Sequence, residues 1–405
     1  MRKVFILAAV AGLAMVSCVK EEVHNAVSEQ KDVKIAFESP LLYDNVTTRS
    51  NLHGEFSTTE YPTSEDFVIF AAQHTGNFAG WPAANAANLP INSVEDGLCP
   101  FNKMKLSYVS TFDAWVPSYE EDGKVKYYYW PDGKKLSFSA MSPADLDNGA
   151  TYSYGPTGLN IENYVNPDVE GQYDLLFAKR TTNKTAADMV QSADYYSGIP
   201  ITFQHALSSL HFSIAKDNID QDVCLKGITV KNVKNTGNFV EGINETLGFD
   251  YTVGTNVNPS WVVDDASKTD YVSFDYSGTG KGMEFPVTPR YVSDVYKDLA
   301  DKTGYYSKSL LVVPQEIGDD TKLVIEYTVD GASKSKEYNL KGLSTLSEAD
   351  GGIAGGKVGV VNKWEIGHRY VYRLHYSSSS QIKDIIFFSP SVEGWKYVQV
   401  INIQL

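Results

Sequence analysis

Cysteine is scarce, with three in 405 residues. Cys18 closes an N-terminal apolar run, so only Cys99 and Cys224 remain, 125 residues apart. One pair at that spacing is not a disulfide framework; two buried free thiols are expected, with a bridge as the other reading. Positive charge is also short: 35 Lys and Arg against 50 Asp and Glu give a net charge of −15 and a pI near 4.9. That surface lacks the basic stripes that phosphate backbones require, so nucleic acid is excluded as a partner. Long helical patterns are few. Also missing are Gly-x-Ser-x-Gly, His-Glu-x-x-His, a phosphate-binding loop, Gly-x-Gly-x-x-Gly and Cys-x-x-Cys. The seven histidines are scattered without metal-ligand spacing. Glu120-Glu121 and Asp319-Asp320 lie in turn-like runs and read as solvated loop charges rather than a catalytic carboxylate pair. The sequence therefore offers no catalytic, cofactor-binding or metal-binding residues, and no enzyme is expected.

What is present points to strands. The chain has 26 Tyr, 18 Phe and 31 Gly, an aromatic and glycine enrichment that favours an all-β fold. Its length predicts about two domains.

Residues 1–18 read as a signal peptide. Arg2 and Lys3 precede the apolar stretch Val4–Val16, which is too short to span a bilayer. Met15-Val16-Ser17-Cys18 resembles a bacterial lipobox, with Cys18 as the lipid site; a plain secretory signal with an incidental cysteine is the alternative. Val19-Lys20-Glu21-Glu22 resembles the surface-export signal of Bacteroidales lipoproteins. Val33, Ile35 and Phe37 alternate with Lys34, Ala36 and Glu38 as a short half-buried strand ended by Pro40. Residues 41–63 read as a long exposed loop, where proteases cut. Arg49, followed by Ser50, is the candidate cleavage site, and a plain surface arginine is the alternative.

Further strands are expected at Phe67–Ala72, around Met104, Leu106 and Tyr108, at 125–129, at 136–140 and at Asp174–Ala178. Asp122-Gly123 and Asp132-Gly133 supply turns, making 111–141 a meander. Trp115, Tyr127, Tyr128, Tyr129 and Trp130 read as sheet core, with a sugar-stacking platform as the alternative. Residues 76–100 read as loop, and residues 142–170 show no period. Ile201, Phe203, His205 and Leu207 alternate, then the apolar phase switches at Ser208-Ser209 to Leu210, Phe212 and Ile214; that implies a β-bulge. His205 reads as a hydrogen-bonded core or edge residue. The polar run Lys216–Gln221 marks a domain boundary. Ser293–Lys302 suits one short helix. Leu323, Ile325, Tyr327 and Val329 lead into Asp330-Gly331, a strong hairpin signal. Gly351–Gly356 reads as a glycine loop, Tyr370–Tyr376 as a strand and Ile385–Phe388 as a buried run. Ile401, Ile403 and Leu405 alternate to the last residue, as a closing strand or one that pairs elsewhere.

Several segments, in order, resemble the fimbrillin family of Bacteroidales, the subunits of type V pili. They are Ile35-Ala36-Phe37 with Thr48-Arg49-Ser50, then Tyr129-Trp130-Pro131 into Leu136–Pro143, and Phe203-Gln204-His205-Ala206-Leu207. Next come Ile228–Val233 through Gly237-Asn238-Phe239, then Leu311-Val312-Val313-Pro314-Gln315. The last are Trp364-Glu365-Ile366-Gly367 with Tyr370-Val371-Tyr372, and Ser389-Pro390 followed by Trp395. The resemblance implies two transthyretin-like β-sandwich domains in tandem, at 50–216 and 217–405, behind a propeptide at 19–49. It implies an outer-membrane lipoprotein cut after an arginine by an arginine-specific protease, then a cell-surface fimbrium. Polymerisation with copies of itself or related pilins would follow by strand exchange. The strand carrying Val33, Ile35 and Phe37 would be displaced, and the donor of a neighbour would carry Tyr397, Ile401, Ile403 and Leu405. A host or bacterial surface ligand is a further expected partner. The competing reading is a monomeric surface lipoprotein that binds glycans through exposed aromatics.

Overall fold

The computed structural model describes residues 41–42, 61–77, 98–110, 114–117, 120–121, 124–125, 130–131, 133–146, 149–155, 157–178, 180–190, 199, 201–242, 259–276, 280–287, 310–345, 359–377 and 397–404. These are almost entirely β, with a single five-residue helix, α1 (Ala186–Val190), among them.

Sheet I has eight strands. Its order is β1 (Leu41–Leu42), β12 (Thr202–His205), β10 (Leu176–Ala178), β7 (Lys135–Ser142), β2 (Phe67–His74), β3 (Leu98–Val109) and β4 (Ala114–Pro117), with β11 (Thr181–Lys184) also on β7. β2 is apolar on both faces. Phe67, Ile69 and Ala71 enter one core, and Val68, Phe70 and Ala72 enter another. A strand buried on both sides needs a continuous apolar run rather than alternation, and that is what its sequence supplies.

Sheet II covers the second of these faces. It consists of β8 (Thr151–Gly155), β9 (Gly158–Val165), β15 (Thr236–Val240) and β16 (Ser260–Val263). Sequence reading finds no period in 142–170, yet the β8–β9 hairpin lies there. Asn163 explains the miss. Its φ of 57° puts an extra residue into β9, so the apolar phase steps from Ile161 to Tyr164, and the register against β15 shifts at the same place. The Asn163 N–H donates to Asn238 Oδ1 at 2.8 Å and holds the bulge.

Sheets III and IV face each other. Sheet III runs β19 (Leu310–Val312), β13 (Ser208–Lys216), β26 (His368–Tyr376), β27 (Tyr397–Gln404). Sheet IV runs β17 (Lys268–Asp275), β14 (Val223–Lys234), β21 (Lys322–Val329), β22 (Ala332–Asn339), with β18 (Met283–Glu284) on β14. Phe212, Ile214, Tyr370, Tyr372 and Leu374 from one sheet share a core with Leu225, Ile228, Ile325 and Tyr327 from the other. Three two-stranded ribbons complete the described strands: β5 (Glu120–Glu121) with β6 (Lys124–Val125), β20 (Gln315–Glu316) with β25 (Lys363–Trp364), and β23 (Leu343–Ser344) with β24 (Val360–Val361).

The hairpin at Asp330-Gly331 forms as expected. Both residues have positive φ, 48° and 82°, and Val329 faces Ala332 across them. This two-residue loop is the twist-matched one that favours Asp-Gly. β5 and β6 likewise bracket Asp122-Gly123. The meander does not continue from there, because β7 lies on the far side of β2 from β3. β7 carries Leu136, Phe138 and Ala140 toward one core and Met141 toward the other, so it belongs at the sheet centre. Leu98–Pro100, expected as loop, begin β3.

The phase switch at Ser208-Ser209 is not a bulge. It marks a change of sheet: β12 lies in sheet I, β13 in sheet III, and the chain passes between them through buried Ala206-Leu207. With apolar partners on both sides of the crossing, two independent strand phases abut. The polar run Lys216–Gln221 joins β13 to β14, whose apolar residues share one core. Tyr61, expected in an exposed loop, is 2% exposed, and its hydroxyl lies 2.7 Å from Ser142 Oγ. The stretches 293–302, 351–356 and 385–388 lie outside the described residues.

β19 ties the two halves of the chain together. Leu310 and Val312 face the core of sheets III and IV, while Leu311 and its neighbour Val313 face the core under sheet II. The outer edge of β19 is met by side chains from 166–172. The Leu311 N–H donates to Gln172 Oε1 at 2.8 Å, and the Leu311 carbonyl accepts from both Gln172 Nε2 and Asn166 Nδ2 at 2.8 Å. Gln172 thus pairs with the Leu311 peptide as a neighbouring strand would. Gln172→Ala should cost about 2–3 kcal/mol, since it strips two hydrogen bonds from a buried peptide; urea titration reads this, and an unchanged midpoint would show that the cap is dispensable.

Candidate assembly interface

Trp115 and Trp130 are 0% and 2% exposed. The Trp115 ring lies 5.1 Å from Phe67 and 5.4 Å from Tyr61, inside a cluster of tilted and edge-on rings. These two indoles are core, so they cannot form a sugar platform; Tyr127, Tyr128 and Tyr129 lie outside the described residues. His205 is a buried partner of Asp174, with Nδ1 and Oδ2 2.9 Å apart. Cys224 is a buried free thiol whose pKa is pushed up to about 11, chiefly by burial, which keeps it inert at neutral pH. Among the described residues no group of three or more His, Cys, Asp or Glu is placed to hold a metal.

What stands out is where the terminal segments sit. β1 pairs in parallel with β12, Leu41 opposite Thr202 and Leu42 opposite Phe203, at the margin of sheet I. The core beneath is aromatic. Phe203 is 1% exposed, with ring centres 5.3 Å from Tyr61 and 5.5 Å from Phe67. Residues 41–42 thus belong to a sheet rather than to the expected loop. At the other end of the chain, β27 pairs in parallel with β26 from His368–Tyr397 to His375–Gln404 and forms the margin of sheet III. Ile401 and Ile403 take the register positions of Tyr372 and Leu374, both fully buried, and Tyr397 that of His368. Cys18, Val33, Ile35, Phe37, Arg49, Ser50 and Leu405 lie outside the described residues.

Between the two margins, β12 and β13 form a nearly uninterrupted run of chain. β12 carries β1 on one side, and β13 carries β26, in parallel, on one of its own. The margins thus share one structural spine. Sequence reading could not have found this, because the register of a parallel strand leaves no local turn signal.

A second feature also escapes the sequence. Glu241 and Arg180 have side chains 1% and 4% exposed, and they meet at 2.9 Å. Glu241 Oε2 accepts from the Tyr154 hydroxyl at 2.9 Å and from the Leu159 N–H at 2.8 Å; the Tyr154 and Ser139 hydroxyls also meet. The backbone passes so close at Gly158, φ 84°, that a Cβ there would stand 2.3 Å from Glu241 Oε2. The network joins sheet II to sheet I. Burial raises the Glu241 carboxyl above its ordinary range, opposed mainly by Arg180.

The fold defines an all-β protein of several packed sheets with terminal strands on their margins. The profile of the fimbrillin-like family matches residues 100–395, and the chain belongs to that family. No curated protein matches it. Among solved structures, a protein assigned to cell adhesion in Bacteroides uniformis is 11% identical, covering 85% of this chain and 94% of that one, with a TM-score of 0.41. A counterpart from Bacteroides ovatus is 12% identical over 84% and 91% of the two chains, with a TM-score of 0.40. A fimbrial protein from Bacteroides ovatus is 11% identical over 90% and 53%, with a TM-score of 0.30.

Proposed function

We propose that this chain is a pilus subunit for surface adhesion, exported as a lipoprotein on Cys18, cut after Arg49 and polymerised by strand exchange. The observation that carries the reading is β1. It lies within segment 19–49 and pairs at the margin of sheet I on β12. Cleavage after Arg49 would take β1 away and leave the β12 backbone unpaired beside the aromatic core at Phe203. An open edge of that kind is costly alone and is relieved by an added strand. β27 fits the donor role, because it lies at a sheet margin and places Ile401 and Ile403 in register with buried residues. The chain divides, on this reading, into two sandwich units, the first built around sheets I and II and the second around sheets III and IV.

Mass measurement of the mature protein from cells tests the proposal. The expected species begins at Ser50 and carries no lipid; a diacylated species beginning at Cys18 as the only surface form would refute it. Cys18→Ala is expected to abolish incorporation of a fatty-acid probe and surface display. Undiminished labelling of the variant would show that the lipid sits elsewhere.

A further inference from the structure

Sheet IV ends in β22, an eight-residue strand exposed over most of its length. Among the described residues its one strand neighbour is β21. A long exposed margin of this kind is a template for pairing with another chain. The residues on its core-facing side are unusual. Lys334 stands opposite Tyr327, and Lys336 stands opposite Ile325. Tyr327 and Ile325 are 5% and 0% exposed and belong to the core. The same side of the next strand thus turns from apolar to cationic. Tyr338, opposite Leu323, keeps the apolar pattern, with Lys336 Nζ 6.0 Å from its ring centre.

We propose that Lys334 and Lys336 close this margin to a second copy of the chain. Pairing of two β22 strands by a two-fold axis would be antiparallel. With core-facing positions matched, three central registers exist. Centred on Ser335, Lys334 of each copy faces Lys336 of the other. Centred on Lys334, that lysine faces its equivalent; centred on Lys336, the same holds there. Each of these three registers therefore sets lysine against lysine, and like charges directly opposite oppose pairing. The outward positions raise no such barrier, since Ser335 meets Ser335 and Ser333 meets Glu337 in the first register. The inference does not depend on strand exchange, as it applies equally to the uncleaved chain. Its consequence is that association is kept off sheet IV and left to other margins.

Charge reversal provides the test, at positions exposed enough for the fold to tolerate it. In the full chain, Lys334→Glu turns both contacts of the Ser335-centred register attractive. Sedimentation velocity should show self-association at least roughly tenfold tighter than for the parent chain, weakening toward ~1 M salt as surface charges are screened. Lys334→Glu/Lys336→Glu restores like charges and should sediment as monomer. Ser335→Cys reports the register, because the two sulfurs meet at the two-fold axis. A disulfide dimer is expected with Lys334→Glu and not in the parent background. The proposal is overturned if the single reversal sediments like the parent. It is equally overturned if Ser335→Cys cross-links to the same extent in both backgrounds, or if the double reversal associates as strongly as the single one.

Discussion

Arg49→Ala should hold the subunit as a lipid-tethered monomer, and removal of residues 398–405 should stop growth by another route. In the first variant β1 stays tethered beside β12. A short tether gives it an effective concentration of roughly millimolar or more, which a free donor cannot match. In the second, cleavage opens the β12 margin but no donor strand exists. Mixed and treated with an arginine-specific protease, the two variants should form heterodimers and little else. A donor burying several apolar side chains at ~1.5–3 kcal/mol each can hold such a dimer. The position of β27 adds a kinetic expectation. It is already paired along β26, so donation requires its release, a step within one molecule. Dimer formation should therefore reach a limiting rate as subunit concentration rises. Long polymers from either variant alone, read by size-exclusion chromatography, would falsify the assignment of margin and donor.

The second large effect is expected at Glu241. Glu241→Gln keeps the shape and can still accept from the Leu159 N–H, but it leaves the buried Arg180 guanidinium without its counter-charge. Stranding one member of a buried ion pair costs about 3–5 kcal/mol. Replacing both, as in Arg180→Met/Glu241→Leu, should recover a large part of that loss, since the pair's own attraction is largely offset by desolvation. Chemical denaturation of Arg180→Met, Glu241→Leu and the double gives the coupling directly. A Glu241→Gln variant within 1 kcal/mol of the parent, on the order of an ordinary surface substitution, would overturn the expectation. The pH dependence has a definite sign. Burial raises the folded-state pKa of Glu241, so folding binds its proton more tightly than the unfolded chain does. Its contribution is fully present below the unfolded pKa and fades as pH rises through the folded value. Glu241→Gln removes that slope.

The strands whose side chains alternate cleanly were legible from sequence. β21 with its Asp-Gly hairpin, β26, and the inward positions of β7 follow the two-residue period closely. Burial of Trp115 and Trp130 was also legible, because aromatics in a sheet pattern are core more often than platform. The failures have physical causes. Asn163 broke the period of β9 by adding one residue. Ser208-Ser209 resembled a bulge because both a bulge and a change of sheet shift the phase by one, and only the partner strands distinguish them. Tyr61 was hidden by polar neighbours. The assembly margins were half legible: the alternation of Ile401 and Ile403 marked a strand, but nothing local could say that it lies parallel to β26. Gln172, Arg180 and Glu241 were invisible, because their partners are remote in sequence: Gln172 meets Leu311, 139 residues away, and Glu241, which pairs with Arg180, meets Leu159 and Tyr154, 82 and 87 residues away.

The run from β12 into β13 has a mechanical consequence. In a fibre joined through the β12 margin at one end and the β27 strand at the other, tension entering a subunit would meet continuous polypeptide from Thr202 to Lys216. It would leave through the parallel ladder of β13 with β26, because β27 has by then been released to the neighbouring subunit. Strands pulled lengthwise in such ladders load all their hydrogen bonds at once, in shear. A hairpin pulled from its open end yields one bond at a time. With β19 shared between two cores, neither half could stretch without straining the other. Such a subunit would behave as a stiff link that fails abruptly, rather than as a spring that extends.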